Sequence, residues 1–319
     1  MLTSLAEAAT RARPAYRSFR VQVSRVERLA PHFTSVTFAG DELGDFGTAG
    51  LDQRVKVVLP LPEIGFAAFP DGEDWYSAWR ELPGELRNPF RTYTVRAVRP
   101  EQREVDIVFV AHGDAGPASA WAEAAAPGDE IVLIGPDERS PGRTVGIDWR
   151  PGNVETLLLA GDETAAPAIA SILESLPADA TGVALIEVPA AGDRLDVRAP
   201  AGVEVRWLPR AESGCTHGDR LVPAVRDWVV RHMAARGLTA DAADAVEVTD
   251  TADAEPVDLD SPLWDVPEGQ SLDGDCYAWL AGEASAITTL RRFLVREAGL
   301  DRRQVAFMGY WRMGRAELD

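Results

Sequence analysis

Two kinds of apolar pattern meet in this chain, and their junction restricts the fold to two packed bodies built in different ways. From Arg17 to Val110 the apolar residues fall in short strand-like runs, SFRVQVSRVERL, FTSVTFAG, RVKVVLPL, RTYTVRAV and EVDIVFVAH, separated by Pro, Gly and charged turns. Strands of that length and punctuation predict an antiparallel barrel or sandwich. A helix is expected from Gly116-Pro117 to the stop at Pro127-Gly128, followed by one more strand in EIVLIGP. From Val154 the texture changes to VETLLLAGDETAAPAIASILESL, a continuous apolar run, a tight turn and a helix opened by Pro167. GVALIEVP, VEVRWLP, CYAWLAGE and QVAFMGYWR then alternate with helical stretches, which predicts a parallel, doubly wound sheet. The expected architecture is therefore two-domain. An antiparallel β-barrel spans 1–150, an α/β parallel-sheet domain spans 151–319, and 319 residues suffice for two cores.

The formal charge of -19 is less informative than it looks, because Gly237 to Asp275 holds twelve acidic residues and no basic one. That acidic excursion, 237–275, reads as a solvated loop, and without it the chain has 39 acidic against 32 basic residues. No basic face for nucleic acid is evident. No run approaches the roughly 20 apolar residues of a membrane span and the first residues contain no apolar leader core, so the expected location is cytoplasmic. Two cysteines, Cys215 and Cys276, cannot supply the four thiolates of an ordinary iron-sulfur cluster, and no metal-ligand spacing occurs, so no protein-bound metal is expected. Redox chemistry here needs an organic cofactor.

Two motifs fit a flavin nucleotide. In Arg91-Thr92-Tyr93-Thr94 a strand places Arg91 and Tyr93 on one face and Thr94 on the other. The guanidinium suits a pyrophosphate, the ring an isoalloxazine and the hydroxyl its N5 edge. The second motif, His112-Gly113-Asp114-Ala115-Gly116-Pro117-Ala118-Ser119-Ala120-Trp121, opens a helix whose free N–H groups, with Ser119, suit phosphate.

The ordered series RTYTVR, DIVFVAHG, GPASAWA, PGDEI, IGP, LAGDETAAPAI, ALIEVP, YAWLAGE and GYWRMGRAE resembles the siderophore-interacting protein family of FAD-dependent ferric-siderophore reductases over nearly the whole chain. That resemblance implies an FAD-binding barrel domain and an NAD(P)H-binding α/β domain of the ferredoxin-reductase plan. It implies that Arg91, Tyr93, Thr94, His112, Ala118, Ser119 and Trp121 hold FAD, with Thr92 and Asp106 as neighbours. No G-x-G-x-x-G follows VETLLLA; the turn Gly161-Asp162-Glu163-Thr164-Ala165-Ala166-Pro167 matches the family pattern instead, and Gly282-Glu283 repeats the strand-to-helix geometry on the nicotinamide side. Glu187, ending the second strand of this domain, suits a ribose hydroxyl, whereas nearby Arg194 suits a 2′-phosphate, so NADPH and NADH both stay open as donor.

The family is further expected to meet an anionic ferric siderophore with a small basic cluster. The candidates are Lys56, the only lysine in the chain, Arg139, Arg143 and Arg312. The implied activity is ferric-siderophore reduction by a monomer, with electrons passing from NAD(P)H through FAD to Fe(III) and Fe(II) released. Alternatives are a flavin reductase or ferredoxin-linked oxidoreductase of the same architecture, with a ferredoxin as electron partner, and a non-catalytic siderophore-binding protein.

Overall fold

A computed structural model describes residues 13–72, 74–111, 116–211, 214–236, 264–267 and 273–314. The chain divides into two compact units, one built mainly from residues up to 147 and the other mainly from residues 148 onward.

The first unit is a closed six-stranded antiparallel barrel in the order β1-β2-β5-β4-β3-β6. Its strands are β1 (Tyr16–Ala30), β2 (Phe33–Ala39), β3 (Arg54–Val58), β4 (Phe90–Arg99), β5 (Glu104–Val110) and β6 (Glu130–Pro136). Alternation along β1 sends Phe19, Val21 and Val23 inward and Arg20, Gln22 and Ser24 outward, the period of two that a half-buried strand requires. Inside, these side chains meet Val36, Phe38, Val55, Val57, Val95, Ile107, Phe109 and Leu133. Between β3 and β4 the chain forms a helix that its sequence did not announce, α1 (Trp75–Glu81). Its Trp75 and Trp79 join Phe66, Phe69 and Phe90 in a second apolar cluster on Val58, Val132 and Ile134. A further helix, α2 (Pro117–Ala124), sets Ala118, Trp121 and Ala122 against the barrel core.

The second unit is a six-stranded sheet in the order β10-β12-β11-β7-β8-β9. Strands β7 (Asn153–Gly161), β8 (Thr181–Val188), β9 (Gly202–Pro209), β11 (Asp273–Glu283) and β12 (Val305–Trp311) run parallel. The two-residue β10 (Trp264–Asp265) pairs antiparallel with β12, so the sheet is mixed where a purely parallel one was expected. These two residues belong to the acidic excursion, whose residues 237–263 and 268–272 lie outside the described ones. Helices α3 (Ala166–Ser175), α4 (Leu221–Ala235) and α5 (Ala284–Arg292) complete the unit. At Gly182 φ is +150° and a Cβ would stand 2.1 Å from the Leu157 carbonyl oxygen, so only glycine lets β8 lie this close to β7. Strand order reverses at β7, with β8 on one side and β11 on the other, which makes the carboxyl ends of these strands the place where such sheets take ligands.

Candidate functional site

In the barrel the RTYT segment sits at an opening. Residues Phe90 to Thr94 of β4 pair with β3, but β4 pairs with β5 only from Val95 on. One edge of Arg91–Thr94 therefore has no strand ladder, and its backbone groups can meet a planar polar ligand. Tyr93 lies on the core side, its ring 4.5 Å from that of Phe109. Arg91 is half-buried and donates to the Phe90 carbonyl at 2.6 Å. Thr94 is 6% exposed, and its hydroxyl bonds to no described residue.

Lys56 shares the Thr94 face. Its Nζ stands 3.4 Å from Thr92 Oγ1 and 4.8 Å from the centre of the Phe90 ring. Arg54, which pairs directly with Thr94 across the ladder, brings a second cation to this face. Sequence reasoning missed Arg54, although the spacing in Arg54-Val55-Lys56 places two cations on one side of a strand.

Other expected FAD contacts have different roles. Asp106 accepts two hydrogen bonds from Arg99, at 2.6 and 2.7 Å, and one from Thr37 at 2.8 Å, so its oxygens are engaged by protein neighbours on the face of β5 turned away from the barrel core. That bonding also pushes the Arg99 pKa up. Ala118 is buried, and Trp121, half-buried, lies 6.1 Å from the Phe38 ring and 5.8 Å from Phe109, so both side chains pack on the barrel core. The start of α2 has no side-chain cap, and the Ser119 hydroxyl donates to the Val110 carbonyl at 3.2 Å. His112 lies outside the described residues. Arg139 and Arg143 do not form a positive patch. Arg139 pairs with Asp45 at 2.6 Å and Arg143 with Glu138 at 3.5 Å, because carboxylates from two loops converge on them.

At the carboxyl edge of the second sheet the four acidic side chains expected to contact the dinucleotide are all taken by the protein. Asp162 accepts from Thr164 N at 2.9 Å and Oγ1 at 2.5 Å, from Glu283 N at 2.7 Å and from Trp311 Nε1 at 2.8 Å. Burial and the neighbouring Glu163 charge still push it up to about 6. Gly282 makes this possible: its φ is +148°, and a Cβ there would meet Asp162 Oδ2 at 2.7 Å. Gly161 likewise serves packing, since a Cβ would lie 2.5 Å from the Ala281 carbonyl.

Glu163 is fully buried and takes a two-pronged donation from Arg210, with the His217 ring beside it at 3.1 Å. Burial pushes its pKa up, but the two-pronged donation and the charge of Arg210 beside it outweigh that, and it is held at about 2. Glu187 is also fully buried. It accepts from Gly218 N at 2.9 Å, Arg220 N at 3.0 Å and Leu221 N at 2.8 Å, closing the first turn of α4. Its oxygens are turned inward to the start of α4 and away from solvent, where a ribose hydroxyl was expected to meet them. Glu283 caps α5 through Ser285 N at 2.7 Å and Ala286 N at 3.1 Å. Arg210, His217 and Trp311 complete this edge, and sequence reasoning missed all three as site residues. Arg210 and Trp311 were signalled only by their place at or just beyond strand ends, in WLPR and GYWR, and His217 by nothing of that kind. Arg312 follows Trp311 and is half-buried.

The siderophore-interacting protein family model matches residues 154–314, and the model of the siderophore-interacting FAD-binding domain matches residues 22–140. The chain belongs to the siderophore-interacting protein family. The ferric vibriobactin reductase ViuB of Vibrio cholerae is 27% identical over 92% of this chain and 89% of its own length. The NADPH-dependent ferric-chelate reductase of Escherichia coli is 34% identical over 48% of this chain and 55% of its own. A siderophore utilization protein from T. fusca has a structure with TM-score 0.68 at 29% identity, covering 96% of this chain and 97% of that one. Within the family the barrel is the FAD-binding domain, so FAD is the cofactor of this member and the chain is a siderophore-related flavoprotein. The open β4 edge and the unpartnered Thr94 hydroxyl fit that cofactor. Among the described residues no helix is long and apolar enough to cross a membrane.

Proposed function

We propose that this chain is a cytoplasmic ferric-siderophore reductase, taking electrons from NADPH or NADH through FAD to siderophore-bound Fe(III) and releasing Fe(II). The observation that carries the reading is the shared face of β3 and β4, where the unpartnered Thr94 hydroxyl lies on the side of Lys56 and Arg54. Lys56 and Arg54 attract an anionic ferric chelate to the face that carries Thr94. Arg91 is assigned to the FAD pyrophosphate, Tyr93 to the flank of the isoalloxazine, Thr94 to its N5 edge, and the start of α2 with Ser119 to phosphate. Bound FAD supplies a carrier that accepts a two-electron hydride and yields electrons singly, as Fe(III) requires. The activities in the names of the V. cholerae and E. coli relatives support the acceptor and the donor.

The purified protein is expected to be yellow with one noncovalent FAD. Under anaerobic conditions NAD(P)H should bleach it, and a ferric siderophore should restore the colour while a ferrous chelator traps Fe(II). Bleaching without reoxidation by any ferric siderophore, with ferricyanide still reduced, would instead mark a flavin reductase or ferredoxin-linked enzyme. A colourless protein that cannot be loaded with FAD would mark a binding protein. Lys56→Ala is expected to raise the KM for a ferric siderophore about fivefold at low salt, an exposed ion pair being worth on the order of 1 kcal/mol, with the difference shrinking as salt rises. FAD content and ferricyanide reduction should stay near wild type; equal KM values at low salt would make Lys56 a bystander.

A further inference from the structure

We propose that His217 binds the nicotinamide dinucleotide: Arg210 fixes its ring as a neutral imidazole and leaves Nδ1–H to bond an acceptor oxygen of that ligand. The proposal rests on the reading that NAD(P)H binds beyond the carboxyl ends of the second sheet.

His217 Nε2 lies 2.7 Å from Arg210 Nη2 and 3.1 Å from Glu163 Oε1. The two neighbours make opposite demands, for the carboxylate calls for a proton on Nε2 and the guanidinium for a lone pair. Arg210 decides between them. It is the nearer partner and it can only donate, and although burial pushes its pKa down, the bonds to Glu163 and the charges of Glu163 and Glu187 outweigh that and raise it. A ring proton on Nε2 would point at an N–H group, and a doubly protonated ring would set two cations 2.7 Å apart. Glu163 does not need the ring, since Arg210 already reaches both of its oxygens. The proton therefore sits on Nδ1.

That nitrogen bonds to no described residue, and the side chain keeps 18% of its exposure. Its setting is rigid. Trp311 meets the ring edge-on at 4.6 Å, Glu187 holds the next backbone N–H at 2.9 Å, and Thr216 N is tied to Asp219 at 2.8 Å. One nitrogen is thus used to orient the ring while the other offers a donor, at an edge whose four carboxylates are already satisfied.

The test uses the full-length protein with labelled histidine and NADP+ as the ligand. Nitrogen NMR is expected to show a lone pair on Nε2 and a proton on Nδ1 of His217, assigned by comparison with His217→Gln, and the Nδ1–H signal should move on NADP+ addition. The Gln variant places its amide where Nε2 stood, so its Kd for NADP+ should rise about tenfold, the value of one hydrogen bond. Asn places an N–H where Nδ1 stood, so His217→Asn should bind within about twofold of wild type. An imidazolium, an Nε2–H tautomer, or wild-type affinity in the Gln variant overturns the proposal. The backbone amides of Thr164 and Ser285 separate this failure from a larger one. If they shift with NADP+ while the Gln variant binds normally, only the role of His217 falls. If they stay still at saturation, the dinucleotide binds elsewhere and the underlying reading falls with it.

Discussion

Replacing Arg210 with Met is expected to destabilise the second unit by about 3–5 kcal/mol, the usual cost of breaking a buried ion pair from one side. Glu163 and Glu187 are both fully buried, and Arg210 donates to the first at 2.6 Å through Nη1 and lies 3.5 Å from the second. Met fills much of the volume but leaves two carboxylates without their cation. A fall in thermal midpoint of roughly 10 °C follows for a domain of this size. Glu163 also sets the pH dependence. Its folded pKa, about 2, lies below the ordinary 4.5, so its contribution is fully present above about 4.5 and is lost as pH falls toward 2. The gap between wild type and Arg210→Met should therefore narrow as pH drops through that window. Adding Glu163→Gln to the variant should recover part of the loss. Equal midpoints at neutral pH would show that the pair adds nothing.

Arg91→Ala is expected to weaken FAD binding about tenfold to a hundredfold. A charge-assisted contact to phosphate is worth roughly 1.5–3 kcal/mol, and alanine keeps neither the charge nor the fork. Titration of the apoprotein with FAD, followed by flavin fluorescence, measures the change. Arg91→Lys should fall between the two, since it retains charge without two-pronged geometry. An unchanged affinity in Arg91→Ala would remove Arg91 from the cofactor site and leave the phosphates to the start of α2.

The strand runs around Val21, Val36, Val57 and Ile107 show their period of two openly, and the apolar runs at Leu157 and Leu185 show the parallel sheet. Local pattern was enough for these elements because each follows from which side of one strand is buried. α1 was not legible: Trp75 and Trp79 form a helix because they cover the outer barrel face at Val58 and Val132, a contact that no local window contains. The same holds for the acidic side chains. A glutamate at a strand end reads alike whether it meets a ribose or the next helix, and only the return of the chain at Gly218 to Leu221 distinguishes the cases for Glu187. Arg139 looked like an open charge because Asp45, with which it pairs, lies far off in sequence.

Engineers who wish to exchange one nicotinamide coenzyme for the other commonly begin at the acidic residue after the second strand of a dinucleotide-binding domain. In this protein that residue is buried and holds the start of α4. Changing Glu187 to a small or basic residue would strip three backbone N–H groups at the start of α4 of their acceptor, and the first symptom would be poor expression or a lowered melting point, not a new preference. Selection for altered coenzyme use must work through other positions, and a library that randomises Glu187 will be emptied by misfolding before selectivity is sampled.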